Sequence, residues 1–223
     1  MTISIIIPTL NEEQTIGGQL ESLSALAVEE IIVSDGGSRD HTPEIASAHA
    51  RLVTGPPSRG LQLNLGAAVA RGDVLLFLHA DARLGPCAAE VVREAMADPL
   101  VVGGDFDVRY AGGDARAAAF TFINRARRRF GVFYGDSAIF CRRTVFLTLG
   151  GYQPWPLLED YEFARRLRRH GRLALLDEPV FVSDRRWRNG GLLPTLAAWF
   201  FIQSLYLAGV SPLRLARLYR HVR

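Results

Sequence analysis

Lysine is missing from this chain: all 26 basic residues among its 223 are arginines. That absence excludes every mechanism needing a side-chain amine, including Schiff-base catalysis, pyridoxal phosphate attachment and the phosphate-binding lysine of P-loops. Cysteine is scarce. Cys87 and Cys141 lie too far apart for a CxxC pair and are too few for a zinc site without many histidines. Both read as small buried apolar residues in a reducing compartment. No basic leader or cleavage site precedes the apolar stretch Ile3 to Ile7, so the expected localisation is cytoplasmic. Excess charge is lacking too: a net +3 with pI about 9.2 and no basic-aromatic alternation give no reason to expect a nucleic-acid partner. With 48% hydrophobic and 22% charged residues, 21 Gly and 11 Pro, disorder and collagen-like repetition are out. A single globular domain over 1–223 remains.

What the chain does have is alternation of short apolar runs with helical patterns through its first hundred residues, the signature of βαβ units and a mainly parallel sheet. The runs Ile3 to Pro8, Glu30 to Ser34, Arg51 to Thr54 and Val74 to Leu78 read as strands. Thr42-Pro43 and Gly85-Pro86 read as helix starts. From Val101 the pattern changes to an α+β reading. Strands are expected at Val101 to Arg109, Ala138 to Cys141, Leu173 to Leu176 and Val180 to Ser183, with helices at Arg116 to Phe130 and Glu159 to His170.

In open α/β sheets ligands bind beyond the carboxyl ends of the strands, so the segments after each run are the ones to interrogate. Asp35-Gly36-Gly37-Ser38 puts a carboxylate on a glycine turn where a ring or ribose can approach the backbone, or forms an ordinary Asp-Gly turn. His79 and Asp81 end the fourth run two residues apart, on one side of extended backbone. Asp81 there suits a hard cation bridging to phosphate, or caps the helix at Pro86. Glu159-Asp160 opens a helix, where the dipole favours carboxylates whether they cap or catalyse.

Taken in order, Pro8-Thr9-Leu10-Asn11-Glu12-Glu13, Asp35-Gly36-Gly37-Ser38, Arg59-Gly60 with Asn64, Gly66 and Ala67, Gly72-Asp73, His79-Ala80-Asp81, Gly135-Asp136, Glu159-Asp160 and Arg185-Arg186-Trp187 resemble the family 2 inverting glycosyltransferases. The resemblance covers almost the whole chain and implies a glycosyltransferase-A, Rossmann-like α/β fold: a mainly parallel sheet flanked by helices, with a C-terminal helical segment. It implies a nucleotide-sugar-binding half at 1–100, an acceptor and catalytic half at 101–190, and a helical segment at 191–223. By position, Pro8, Thr9, Leu10, Asn11, Glu12, Asp35 and Gly36 resemble the base and ribose site, with Arg59 near the diphosphate. His79, Ala80 and Asp81 match the Asp-x-Asp motif, His79 replacing its first acid. Asp81 then implies a divalent cation, Mn2+ or Mg2+, and Asp160 a catalytic base, with Glu159 beside it supporting the acceptor site or the base itself. Asp136 resembles part of the acceptor pocket, although Ser137 follows it where relatives carry Gln. Arg186 and Trp187 resemble an Arg-Trp element that reads phosphate and stacks on a sugar. His79-Ala80-Asp81 with Arg186-Trp187 is most similar to a bacterial subgroup labelled arsenosugar-biosynthesis glycosyltransferases.

The resemblance implies a nucleotide-diphosphate sugar donor, UDP before GDP, and a hydroxyl acceptor of unknown identity. Two other readings stand beside it: a polyprenyl-phosphate glycosyltransferase at the membrane, and a nucleotide-sugar-binding protein without turnover. Leu192 to Val210 is largely apolar yet barely reaches the roughly 20 residues of a membrane-spanning helix. Arg214, Arg217, Arg220 and Arg223 follow at every third position. Peripheral attachment at the inner face of the membrane, a homodimer interface and packing on the sheet each fit that pattern. Arg125, Arg127, Arg128, Arg129, Arg165, Arg166, Arg168 and Arg169 read as solvated helix faces.

Overall fold

The computed structural model describes residues 1–110, 115–129, 131–183 and 192–219, with the side chains of 115, 116 and 192–196 not described. Its elements run β1 (Ile3–Thr9), α1 (Ile16–Ser24), β2 (Glu30–Asp35), α2 (Thr42–His49), β3 (Arg51–Thr54), α3 (Arg59–Val69), β4 (Val74–Phe77), β5 (Ala82–Leu84), α4 (Ala88–Met96) and β6 (Val101–Tyr110). After these come α5 (Ala115–Arg129), a 3-10 turn at Gly135–Ser137, β7 (Phe140–Arg142), α6 (Arg143–Thr148), α7 (Glu159–His170), β8 (Arg172–Val182), α8 (Leu192–Leu207) and α9 (Pro212–Leu218).

The strands form one sheet in the order β3-β2-β1-β4-β7-β6-β8-β5. β3, β2, β1 and β4 are mutually parallel, so the turns after β1, β2 and β4 leave from one edge, with Thr9 opposite Asp35. β7 runs antiparallel to both β4 and β6, while β6 and β8 are parallel. The helix-flanked, mainly parallel sheet expected from the sequence is present, with antiparallel pairs confined to β7 and β5.

Alternation along the central strands explains the layering. Ile3, Ile5 and Ile7 of β1 and Val74 and Leu76 of β4 meet α1, α2 and α4 through Leu20, Ala46 and Val92. Ile6, Leu75 and Phe77 face the other way, toward Leu63, Phe146 and Phe163 of α3, α6 and α7. Strands buried on both faces need continuous apolar sequence, which is why β1 and β4 were legible.

Several expectations are corrected. The two strands expected at 173–176 and 180–183 are one strand, β8, whose register against β6 shifts between Asp105 and Asp107; Asp177-Glu178-Pro179 is an irregularity inside the strand and no loop. α2 starts at Thr42 as expected, although the N-cap position is His41; the Thr42 hydroxyl donates to Asp40 Oδ1 at 2.6 Å. Cys87 is exposed, although Cys141 is buried, and burial pushes its thiol pKa up. Nor are the arginines all solvated. Arg128 is buried against β6, with Nε 3.0 Å from Asp105 Oδ2 and Nη2 donating to the Leu176 carbonyl at 2.8 Å. Arg125 stays exposed, as expected, while pairing with Asp107 at 2.5 Å. Arg166 joins Glu162 at 2.6 Å to the Gly151 carbonyl at 2.7 Å. Within the apolar stretch 192–210 the helix ends at Leu207, before Gly209 with its φ of +90°, and no helix of the described residues is long and apolar enough to cross a membrane.

Candidate active site

The turns after β1 and β2 are knitted into one unit. Asp35 is buried, and its Oδ2 accepts the amides of Gly37 and Ser38 at 2.8 Å each, while Oδ1 accepts the hydroxyls of Thr9 at 3.1 Å and Ser38 at 2.5 Å. The carboxylate therefore orders the turn that carries Gly36. Asn11 turns the chain at φ +55°, its amide donating to Ser38 Oγ at 2.8 Å and its Oδ1 accepting the Arg39 amide at 2.9 Å. Glu12 accepts the Thr15 hydroxyl at 2.9 Å. Pro8 and Leu10 stay half-buried on the same rim.

Two glutamines that the sequence reading passed over position these turns. Gln62 of α3 donates to the carbonyls of Thr9 at 2.7 Å and Ser34 at 2.9 Å, pinning the ends of β1 and β2 together. Gln19 of α1 donates to the carbonyls of His79 at 2.6 Å and Ala82 at 2.9 Å, holding the His79-Ala80-Asp81 turn. The available signal was a polar residue on the inner stripe of each helix, where an apolar one would otherwise pack.

Arg59 joins the two halves of the molecule. Its Nε donates to Glu159 Oε1 and its Nη2 to Asp160 Oδ2 at 3.2 Å, and Nη1 lies 3.3 Å from His79 Nε2. The end of β4 and the start of α7 thus meet on one guanidinium. Asp160 also accepts the Gly135 amide on Oδ2 at 2.8 Å and the Tyr161 amide on Oδ1 at 2.7 Å. A Cβ on Gly135 would stand 2.8 Å from His79 Nε2 and 3.0 Å from Asp160 Oδ2, so a side chain there would displace one or both of them. Asn64 fixes the approach to α7, exchanging hydrogen bonds of 2.8 Å with the Tyr152 carbonyl and amide.

Asn11, Ala138 (φ +52°) and Leu158 (φ +64°) are the non-glycine residues with left-handed backbone among the described residues. Each adjoins a predicted site segment, and each conformation costs of order 1–3 kcal/mol.

The electrostatics follow from crowding. Burial, reinforced by Asp160, raises the Glu159 carboxyl above the usual range against the opposing pull of Arg59. Burial alone would lower the Arg59 pKa, but the adjacent Glu159 and Asp160 carboxylates hold it above its ordinary value. Burial also pushes the Tyr134 phenol up to about 12, Arg127 opposing from 4.8 Å over its ring.

Asp136 sits one residue from Gly135 and accepts a long 3.4 Å contact from the Tyr110 hydroxyl, itself held by Asn124 Nδ2 at 2.8 Å. Ala80 is buried. Asp81 is exposed and makes no side-chain hydrogen bond or ion pair among the described residues. No group of three or more His, Cys, Asp or Glu side chains forms a metal cage among the described residues. One free carboxylate beside a strand end fits a hard cation that takes its remaining ligands from phosphate and water. Arg186 and Trp187 lie outside the described residues.

Known proteins share this architecture. Over 93 residues the chain is 38% identical to the glucosyl-3-phosphoglycerate synthase of Mycolicibacterium paratuberculosis, a match covering 36% of this chain and 28% of that protein. It therefore spans under a third of that relative. A PGL/p-HBAD biosynthesis glycosyltransferase of Mycobacterium bovis is 28% identical over 229 residues, covering 95% of this chain and 87% of the relative. The crystal structure of the glucosyl-3-phosphoglycerate synthase of Mycobacterium tuberculosis with Mn2+, UDP and phosphoglyceric acid superposes with a TM-score of 0.65 at 22% identity, covering 94% of this chain and 79% of that one. That likeness carries the fold, the glycosyltransferase-A sheet with its flanking helices. Residues 4–147, from β1 into α6 and so through the turns after β1, β2 and β4, match the family described as glycosyl transferase family 2, and the chain belongs to that family.

Proposed function

We propose that the protein transfers a sugar from a UDP-sugar to an acceptor hydroxyl with inversion, using a divalent cation. The observation that carries this reading is the contact of Arg59 with His79, Glu159 and Asp160, which gathers the donor-side strand end and an acidic helix start around one point. The turns after β1 and β2 offer backbone and side-chain groups to a base and ribose. Asp81 would hold Mn2+ or Mg2+ against the diphosphate, and that cation supplies Lewis-acid stabilisation of the departing oxygen. The UDP and Mn2+ in the synthase structure named above support the donor and the cation.

Asp160 accepts the acceptor's proton as the hydroxyl attacks the anomeric carbon on the face opposite the diphosphate. Its two backbone hydrogen bonds and Arg59 fix the carboxylate's orientation, so little reorganisation accompanies proton transfer. Glu159, at 1% side-chain exposure against 10% for Asp160, is too enclosed to meet an acceptor and acts by anchoring Arg59. Asp136 and Tyr110 border the acceptor side. The arsenosugar-subgroup resemblance rests on His79-Ala80-Asp81 and Arg186-Trp187 and assigns no acceptor.

Incubation with a panel of UDP-sugars and Mn2+, water serving as a slow acceptor, is expected to release UDP and free sugar of inverted anomeric configuration, followed by proton NMR. Release with retained configuration, or no release from any donor alone or with mixed hydroxyl acceptors, contradicts the reading.

A further inference from the structure

The C-terminal helices present a surface that the transfer reaction does not use. α8 and α9 pack onto the start of α7 through Ile202, Leu215, Leu158 and Tyr161, with the Tyr134 hydroxyl donating to Gln203 Oε1 at 2.8 Å. Tyr206 meets the Tyr161 ring edge-on at 5.8 Å. That contact consumes one face of α8. On the helical wheel Phe200, Phe201, Ser204, Leu207 and Ala208 share the opposite face, and all are exposed. On α9 Leu213 and Leu218 are exposed beside Arg214 and Arg217. Five large apolar side chains, Phe200, Phe201, Leu207, Leu213 and Leu218, are each more than half exposed within two short helices. Isolated exposed apolar residues need no explanation, but such a concentration marks an interaction surface.

Charge distribution selects the occupant. From Arg185 to Arg223 the chain has seven arginines and no acidic residue, although the whole chain has 23 Asp and Glu. A self-complementary contact between two copies would cover the apolar side chains while bringing two acid-free, arginine-bearing segments together. An anionic lipid surface accommodates both features, taking aromatic and leucine side chains at the acyl boundary and guanidinium groups among the head groups.

We infer that α8 and α9 form a peripheral docking face for an anionic bilayer. The face lies beside the acceptor end of the site, because the same helices pack on Tyr134 and Tyr161, which flank Gly135 and Asp160. Docking requires neither donor nor cation, so its test is independent of the transfer reading.

The full chain is sedimented with vesicles of phosphatidylglycerol and phosphatidylcholine, and with phosphatidylcholine alone, at low and high salt. Binding is expected only to the anionic vesicles and to weaken with salt. Phe200→Ser with Phe201→Ser, and separately Arg214→Glu with Arg217→Glu, are each expected to weaken binding by about tenfold or more. These positions are exposed, so both variants should keep the wild-type thermal unfolding profile and elute as wild type on gel filtration. No binding to anionic vesicles at low salt overturns the inference, as does undiminished binding by either folded variant. A wild-type dimer that the Phe200→Ser, Phe201→Ser variant dissociates also overturns it, assigning the face to a second copy.

Discussion

Asp160→Asn is expected to lower turnover by about 10² to 10⁴, the usual contribution of a positioned general base. The substitution keeps the shape of the side chain and one acceptor oxygen for either the Gly135 or the Tyr161 amide, but removes the second oxygen and the carboxylate proposed to take up the proton. UDP affinity should stay close to wild type, because the turns after β1, β2 and β4 are untouched. The loss belongs in kcat at saturating donor, which separates a base from a group that merely binds. Glu159→Gln is the informative partner: it unpins Arg59, so it should weaken donor binding along with turnover. Steady-state kinetics of both variants, with donor affinity by calorimetry, make the comparison. Wild-type turnover by Asp160→Asn would remove the carboxylate from the mechanism, and a loss appearing wholly in donor affinity would make it a binding residue.

Arg128→Ala carries the largest expected effect on stability. Asp105 is fully buried and Arg128 nearly so, and removing one partner of a buried pair typically costs about 3–5 kcal/mol because the other charge is left uncompensated. The loss should depend on pH. Burial already raises the Asp105 carboxyl to about 6 despite Arg128, and without that guanidinium it rises further. A carboxyl whose folded pKa exceeds its unfolded value contributes stability that is present at low pH and lost as pH rises through the folded pKa. The destabilisation by Arg128→Ala should therefore be largest near about pH 8 and shrink toward about pH 5, where Asp105 is protonated in both proteins. Urea unfolding across that range tests this, and a difference that is constant or grows on acidification contradicts it.

β1 and β4 were readable from sequence because they are buried on both faces and run as unbroken apolar segments, which also located the turns at their ends. The continuity of β8 was not readable, since Asp177-Glu178-Pro179 looks like a loop until β6 is known to accommodate the shift in register. The pairing of the arginines was missed for the same reason. Asp105 and Asp107 alternate along a strand, and only the packing of α5 on β6 turns Arg125 and Arg128 into their partners. In the site, sequence could nominate Arg59, His79, Glu159 and Asp160 separately. Their meeting depends on contacts spanning 100 residues, which no local pattern encodes. Gln19 and Gln62 escaped because an inward-facing amide on a helix reads as a weak position until the carbonyls it serves are known. Arg186 and Trp187 fall outside the described residues, and their assignment stays with the sequence.

The claim beneath all of this is that Asp81 seats the donor's diphosphate through a cation. Titrating UDP into wild type and Asp81→Asn by calorimetry, with Mn2+ and with chelator, addresses it directly. Wild type should bind UDP at least about tenfold more tightly with Mn2+ than without, and Asp81→Asn should lose that gain while keeping the metal-independent affinity. Equal strengthening by Mn2+ in both proteins, or no strengthening in wild type, would contradict the account.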